Sequence, residues 1–298
     1  MLRCYPEAQQ SGQHWSAHGG FLTGTALKPR LFKTSPSSFA RIEAFAGVTM
    51  QYLNLERMRQ IDPQAFRERR PFPWVSVQGF VNDDGFRRLC NTLPDINTFA
   101  RHSSRKGGYG DLHALQCRPG LEVAQPWRDF IGELQSAEYG DFLRRLFGLS
   151  RRQRIQLTMH WHYEGAGFSI APHVDARRKM GSHIFYLNTE ADWDPGWGGQ
   201  TVVLDDEGRF RVTERPGFGD LRQVAASEIL GNQSFIFQRN EHSWHGVRPL
   251  TCPPDRLRKV FIVVVNRINF QVLWRRLRGK DPDGYPLRPE RGAPSSAA

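Results

Sequence analysis

The chain has 298 residues, 39% of them hydrophobic, and a formal net charge of +11. A chain of this length and composition can bury one large core and need not divide into two domains. Its apolar runs are all shorter than the ~18 residues that a membrane span needs, and the first residues lack the charged and apolar regions of a secretory signal. The four cysteines are far apart in sequence and form no CxxC pair, which argues against a zinc knuckle or a disulfide framework. We therefore expect a cytoplasmic protein.

The positive charge is concentrated at the two ends of the chain. Residues 1–49 carry a net charge of +3 and residues 267–298 one of +4, which leaves +4 for the whole body between them. Basic ends of this kind are typical of a solvated surface that keeps a protein in solution. The charge distribution therefore argues against nucleic acid as a partner.

The first segment of the chain is predicted to be an extension outside the folded domain. Residues 1–49 show no sustained period of 2 or 3.6, which predicts a poorly ordered N-terminal extension. The first folded pattern follows Met50, which is an alternative start of the chain. Residues 50–270 are predicted to form a single domain, and residues 271–298 a C-terminal tail.

Residues 71–150 predict the N-terminal strand and helices of this domain. Residues 71–81 alternate like a strand, and Asn82 then supplies the N-cap of a helix with Phe86, Leu89 and Leu93 on one face. A second amphipathic stretch, residues 127–147, has apolar side chains at helical spacing, and Gly148 is expected to end it.

From Ile155 onward the sequence changes to short runs of β-branched and aromatic residues between turn residues. The predicted strands are 155–163, 168–174, 183–188, 200–204, 234–238 and 260–266. Strands at this spacing indicate an antiparallel sandwich or barrel, with a core over residues 155–267. The predicted fold class is mainly β with flanking helices (α+β).

A candidate metal site lies at the end of one of these runs. His173 and Asp175 are two residues apart, so in a strand their side chains project to the same side and can hold one ion. A ferrous ion that keeps open positions suits two imidazoles and one carboxylate on one octahedral face. An HxD pair alone is common by chance, however.

The HxD pair lies inside an ordered series of motifs. The series is Tyr163-Glu-Gly-Ala-Gly, His173-Val-Asp175, Phe185-Tyr186-Leu187-Asn188, Trp197-Gly198-Gly199-Gln200-Thr201, Phe235-Ile236-Phe237, His245-Gly246-Val247-Arg248-Pro249, and Arg258 before VFIVVV. In order and spacing, residues 155–267 resemble the catalytic core of the iron(II)- and 2-oxoglutarate-dependent oxygenases, in particular the prolyl-hydroxylase-like branch. The resemblance implies a double-stranded β-helix, a cupin-like jelly roll.

The resemblance also implies the metal ligands and cofactors. The ligands would be His173, Asp175 and His245, and the cofactors iron(II), 2-oxoglutarate and dioxygen, with ascorbate as a stimulant. The family pattern follows the second histidine with x-Val-x-Pro, which selects His245 over the competing His242.

The cosubstrate pocket is implied in the same way. In the family, an arginine at the start of the strand after the second histidine binds the far carboxylate of 2-oxoglutarate, and Arg258 fills that position. Arg256 is the alternative, because the loop TCPPDRLR is longer than usual. Tyr186 and Tyr163 would line the pocket and donate hydroxyl hydrogen bonds, unless they are ordinary buried tyrosines.

The implied activity is hydroxylation of an unactivated C–H bond in a protein side chain, small metabolite or glycan, with release of succinate and carbon dioxide. A nucleic-acid dealkylating oxygenase is one alternative, although that branch usually has a second arginine where this chain has Val264. A non-catalytic jelly-roll binding module is the other. Specificity would depend on three loops, 101–117, 189–197 and 205–232, whose composition does not identify the substrate.

Overall fold

Two antiparallel sheets pack face to face in the computed structural model, which describes residues 51–102, 108–268 and 270–280. The predicted extension, residues 1–49, lies outside the described residues. Within the described residues, no helix combines the length and the apolar character that crossing a membrane requires.

The strands and helices follow one another along the chain in this order. The strands are β1 (Trp74–Gln78), β2 (Ala100–His102), β3 (Gly108–Tyr109), β4 (Leu112–Gln116), β5 (Ile155–Glu164), β6 (Ser169–His173), β7 (Lys179–Tyr186), β8 (Thr201–Asp205), β9 (Arg222–Ala226), β10 (Gln233–Gln238), β11 (His245–Val247) and β12 (Arg258–Arg267). The helices are α1 (Leu55–Gln60), α2 (Pro63–Glu68), α3 (Asp83–Asn91), α4 (Gln125–Leu134), α5 (Ala137–Phe147) and α6 (Phe270–Leu277), with short 3-10 helices at Ile96–Thr98 and Pro195–Trp197.

The larger sheet has the strand order β1-β10-β7-β12-β5-β4-β2, and the smaller sheet the order β3-β6-β11-β8-β9. An apolar cluster fills the space between the sheets and includes Phe168, Ile184, Val203, Phe235 and Val260. All these pairings are antiparallel, as in a jelly roll, so the predicted fold class is confirmed.

The other face of the larger sheet is covered by the helices. Trp127 and Phe130 of α4 pack on Trp161 and Phe261, with ring centroids 5.1 to 5.9 Å apart. Burying each such side chain stabilises the fold by roughly 1.5–3 kcal/mol. These aromatics are core residues, which is why the amphipathic pattern of residues 127–147 was readable.

Two of the expected elements differ from the structure. The stretch 127–147 forms two helices, α4 and α5, because the Ser136 hydroxyl accepts a hydrogen bond from the Tyr139 N–H (3.3 Å) and starts a new helix. Gly148 ends α5 with φ +65°, as predicted. The tail expected from residue 271 begins inside α6, where Val272 is buried.

The expected specificity loops are partly strands. The described part of residues 101–117 includes β4, which pairs with β5, and part of residues 205–232 forms β9, which pairs with β8 as a surface hairpin. Strand β11 has three residues, too few for a sequence pattern to reveal it.

A buried carboxylate joins the start of the described chain to α4. Glu133 is 5% exposed, and its two oxygens accept hydrogen bonds from the backbone N–H groups of Gln51, Tyr52 and Leu53 at 2.5 to 3.2 Å. Charge-assisted bonds to buried donors are among the stronger hydrogen bonds in proteins.

We expect Glu133→Gln to lower the free energy of unfolding by ~1–3 kcal/mol, because the amide leaves a buried N–H group without an acceptor. Urea denaturation measures the change. Glu138→Gln, at an exposed position of α5, is the control and should shift stability by less than ~0.5 kcal/mol. Equal stabilities for the two variants would contradict this role of Glu133.

Candidate metal centre

Three candidate ligands meet at the ends of two adjacent inner strands of the smaller sheet. His173 is the last residue of β6, Asp175 follows two residues later, and His245 is the first residue of β11. His245 pairs directly with His173 across the two strands. One ligand atom from each of the three residues lies within 4.8 Å of the others, and His173 Nε2 is 3.9 Å from Asp175 Oδ1. The structure therefore brings the three predicted ligands together, with Asp175 in the turn after β6 rather than in the strand.

Both imidazoles are held in one tautomer by the backbone. His173 Nδ1 lies 3.0 Å from the Ala171 carbonyl oxygen, and His245 Nδ1 lies 2.8 Å from that of Ser243. A carbonyl oxygen only accepts hydrogen bonds, so each Nδ1 carries the proton and each Nε2 keeps its lone pair for a metal.

The histidines are also in the charge state that a metal requires. Burial lowers the pKa of His245 to about 4, with a further contribution from His173, and partial burial lowers the pKa of His173, whose side chain is 38% exposed. Both rings are therefore neutral near pH 7, and no proton has to leave before a metal binds.

Asp175 supplies the negative charge. Burial alone would raise its pKa, but the Lys179 ammonium, joined in acid by the protonated His245 and His173, outweighs burial and holds the pKa well below its usual range. Lys179 Nζ donates to Asp175 Oδ1 at 2.7 Å, and Arg239 Nε donates to the Asp175 backbone oxygen at 3.2 Å. Two neutral imidazoles and one ionised carboxylate fit a divalent first-row metal such as iron(II).

The competing histidine lies elsewhere. His242 is 53% exposed, and its Nδ1 is 3.1 Å from Oδ1 of the buried Asp206. Trp244, two residues later, is fully buried, so the chain passes from the surface to the interior between His242 and His245. Of these two histidines, only His245 belongs to the three-residue cluster.

Arg258 lies between the sheets at the start of β12. It is 3% exposed, forms an ion pair with the buried Glu164 and donates from Nε to the Gly199 carbonyl oxygen at 2.6 Å. Its guanidinium carbon lies 5.4 Å from the centre of the Tyr186 ring. Gly199 has φ +101°, and a Cβ there would lie 3.0 Å from Arg258 Cδ, so this glycine allows the close approach.

Arg256 is placed differently. It is 43% exposed, lies 3.6 Å from Asp255 and lines a surface depression with Trp193 and Trp197. Both arginines have the same strand parity, so only the structure shows that Arg258 lies inside and Arg256 at the surface.

The two predicted tyrosines lie on opposite faces of the larger sheet. The Tyr186 hydroxyl lies between the sheets, 2.8 Å from Thr201 Oγ1 and 2.6 Å from Ser227 Oγ. The Tyr163 hydroxyl donates to the Pro94 carbonyl oxygen at 3.0 Å, and its ring stacks on Phe99 in the helix-covered core. Contrary to expectation, Tyr163 does not line the pocket, because the adjacent Glu164 takes the inward position opposite Arg258.

Three residues of the site were missed from the sequence. Asn188 accepts from the Lys259 N–H (2.7 Å) and donates to the Leu257 oxygen (3.0 Å), which fixes the chain around Arg258. Glu164 directly follows the predicted strand 155–163, and extending that strand by one residue would have placed Glu164 on the face opposite Tyr163. Lys179 left no signal, because its contact with Asp175 depends on the turn between β6 and β7.

Comparison with known proteins agrees with this geometry. The family model of the 2OG-Fe(II) oxygenase superfamily matches residues 157–264. A prolyl hydroxylase from Trichoplax adhaerens, solved in complex with a hypoxia inducible factor oxygen degradation domain peptide fragment, has 11% identity and a TM-score of 0.53 over 72% of this chain and 90% of that one. A Pseudomonas putida prolyl-4-hydroxylase has 16% identity and a TM-score of 0.46 over 69% and 98%. No curated protein matches the chain.

The fold, the His-Asp-His site and the family match together define the class of protein. Residues 157–264 form a domain of the 2OG-Fe(II) oxygenase superfamily, with the fold of the prolyl hydroxylases. This match indicates a 2-oxoglutarate-dependent dioxygenase domain, with iron(II), 2-oxoglutarate and dioxygen as its cofactors.

We expect His173→Ala, Asp175→Ala and His245→Ala each to abolish iron binding, because removing one of three ligands leaves a weak two-ligand site. Iron content measured after dialysis against a known iron(II) concentration checks this. The thermal unfolding of the metal-free variants should stay cooperative, because the sheet pairing does not involve the metal.

His242→Ala is the matched control and should keep one iron per chain. The reverse pattern, with iron lost in His242→Ala and kept in His245→Ala, would show that His242 is the distal ligand.

Proposed function

We propose that the protein hydroxylates an unactivated C–H bond of a protein side chain, small metabolite or glycan. In this proposal His173, Asp175 and His245 hold iron(II), and Arg258 with Tyr186 holds 2-oxoglutarate. When bound, the metal, 2-oxoglutarate and dioxygen would supply the oxidation: 2-oxoglutarate would be converted to succinate and carbon dioxide, with one atom of dioxygen going to succinate and the other to the substrate.

The arrangement of charges between the sheets carries the proposal. A cluster of two neutral imidazoles and one carboxylate lies on the smaller sheet, and a buried guanidinium lies on the larger sheet. A ligand that chelates a metal at one end and presents a carboxylate at the other matches this pair of sites. Arginine suits the second site because its planar fork binds a carboxylate through two hydrogen bonds.

The residues of the chain have positioning and exclusion roles in this reaction. The backbone-held histidines keep both Nε2 atoms directed to one point, and Lys179 keeps Asp175 ionised. The apolar cluster around Ile184, Phe235 and Val260 excludes water from the space beside the site.

A protein side chain is one supported class of substrate. The prolyl hydroxylase from Trichoplax adhaerens, whose fold this chain shares, was solved with a peptide fragment bound. We include small metabolites and glycans because the loops that select the substrate differ among proteins of one fold.

We place the reaction in the reducing cytoplasm. The described cysteines Cys90, Cys117 and Cys252 are free thiols, and burial raises the pKa of Cys90 to about 12 and that of Cys117 to about 11. Thiols of this kind stay protonated and unpaired in such a compartment.

We expect the purified protein with iron(II) and ascorbate to convert 2-oxoglutarate to succinate, slowly alone and faster when substrate is present. Succinate is measured by mass spectrometry, and cell extract incubated with the enzyme is searched for products that gained one oxygen atom. Asp175→Ala is the control for iron-only chemistry. Wild-type succinate no greater than that of the control would reject the oxygenase function and favour a binding module.

We expect Arg258→Ala to raise the KM for 2-oxoglutarate about a hundredfold or more, because a buried ion pair that loses one member costs ~3–5 kcal/mol. Iron binding should be retained. Arg256→Ala is the matched control and should change KM by less than about fivefold, as expected of a screened surface charge.

Titration of 2-oxoglutarate against both variants measures this difference. The reverse ranking would move the carboxylate site to Arg256. Arg258→Lys keeps the charge without the planar fork and should give an intermediate KM, which separates the loss of hydrogen-bond geometry from the loss of charge.

A further inference from the structure

The cationic residue of the pocket already has an anionic partner within the chain. Arg258 and Glu164 face each other across β12 and β5, and their side chains are 4% and 1% exposed. Arg258 Nη1 donates to Glu164 Oε2, while Nε donates to Gly199. The charge of the guanidinium is therefore balanced before any ligand arrives.

Glu164 depends on Arg258 for this balance. Its second oxygen, Oε1, lies 3.5 Å from His162 Nδ1, and neither atom has a hydrogen-bond partner among the described residues. Burial would raise the pKa of Glu164, but Arg258, followed by His162, outweighs burial and lowers the pKa below its usual value. The carboxylate is ionised and directed at the guanidinium.

We infer that Glu164 is an internal competitor for the arginine that anchors the cosubstrate: it neutralises Arg258 in the ligand-free protein and weakens the binding of the far carboxylate of 2-oxoglutarate. This inference rests on the proposed role of Arg258. Glu164, which lies opposite Arg258, would then determine how tightly the protein binds 2-oxoglutarate.

The physical reason is that two carboxylates on one buried guanidinium repel each other. Like charges that share a site disfavour their common ionised state, and the effect grows in a water-poor environment. Without Glu164, the ligand-free protein would contain an unpaired buried arginine, and the carboxylate of the ligand would supply the missing partner. Removing the charge of Glu164 should therefore lower the stability of the ligand-free protein and raise its affinity for 2-oxoglutarate.

These opposite effects distinguish competition from support. If Glu164 only held Arg258 in position, its loss would reduce both stability and affinity. Glu164→Gln is the appropriate change, because the amide has nearly the same shape and removes the charge. Glu133→Gln is the matched control, since Glu133 is also a buried glutamate with hydrogen bonds but lies on α4.

The experiment uses the full chain loaded with manganese(II), which replaces iron without turnover, and 2-oxoglutarate as the probe. Calorimetry gives the Kd, and thermal unfolding with and without 2-oxoglutarate gives the stability. We expect Glu164→Gln to unfold at a lower temperature than wild type without ligand, to bind 2-oxoglutarate about tenfold more tightly and to gain more in Tm on binding. Glu133→Gln should lose stability and keep the wild-type Kd.

A wild-type protein that binds 2-oxoglutarate, with a Glu164→Gln Kd that is equal or weaker, would overturn the inference and leave the proposed function intact. A wild-type protein that binds manganese but not 2-oxoglutarate would overturn both. If Glu164→Gln does not fold, Glu164→Asp replaces it: the shorter side chain withdraws from Arg258, so the Kd should fall below the wild-type value, and a higher Kd would count against competition.

Discussion

The position of β12 between β5 and β7 is the constraint on which the rest of the site depends. Paired residues on adjacent strands share a face, and adjacent strands lie ~4.8 Å apart. Val260 pairs with His162 on one side and Tyr186 on the other, so all three face the space between the sheets. Arg258, two residues earlier, faces the same space. A slip of one residue in this register would place the arginine among the helices.

The site is divided between the two sheets. The metal ligands belong to β6, β11 and the residues just after β6, while Arg258 and Tyr186 belong to the larger sheet. The sheets are tied together beside the site by the hydrogen bond between the hydroxyls of Tyr186 and Thr201. The distance from the His-Asp-His cluster to the Arg258 guanidinium is therefore set by how the two sheets stack, which depends on the large side chains packed between them.

Much of the metal centre could be predicted from the sequence, because its information is local. The HxD pair and the short motif after His245 are both readable in the sequence, although Asp175 lies beyond the end of β6, where strand alternation no longer fixes its direction. The residues of the pocket were harder to predict, because their positions depend on pairing between strands that are distant in sequence. Tyr163 and Glu164 are neighbours with opposite orientations, and only the register of β5 against β12 decides which one lies inside. The break between α4 and α5 was missed because Ser136 interrupts a continuous amphipathic pattern.

The hydrogen bonds from His173 to Ala171 and from His245 to Ser243 make the metal site robust to mutation. Each imidazole is oriented by a carbonyl oxygen two residues earlier on its own backbone, so no other side chain is required for its tautomer. Substitution of Ala171 or Ser243 leaves a carbonyl oxygen in the same place. Substitutions around this cluster that reshape the substrate pocket can therefore leave the orientation of both imidazoles unchanged, provided that the strands keep their backbone path.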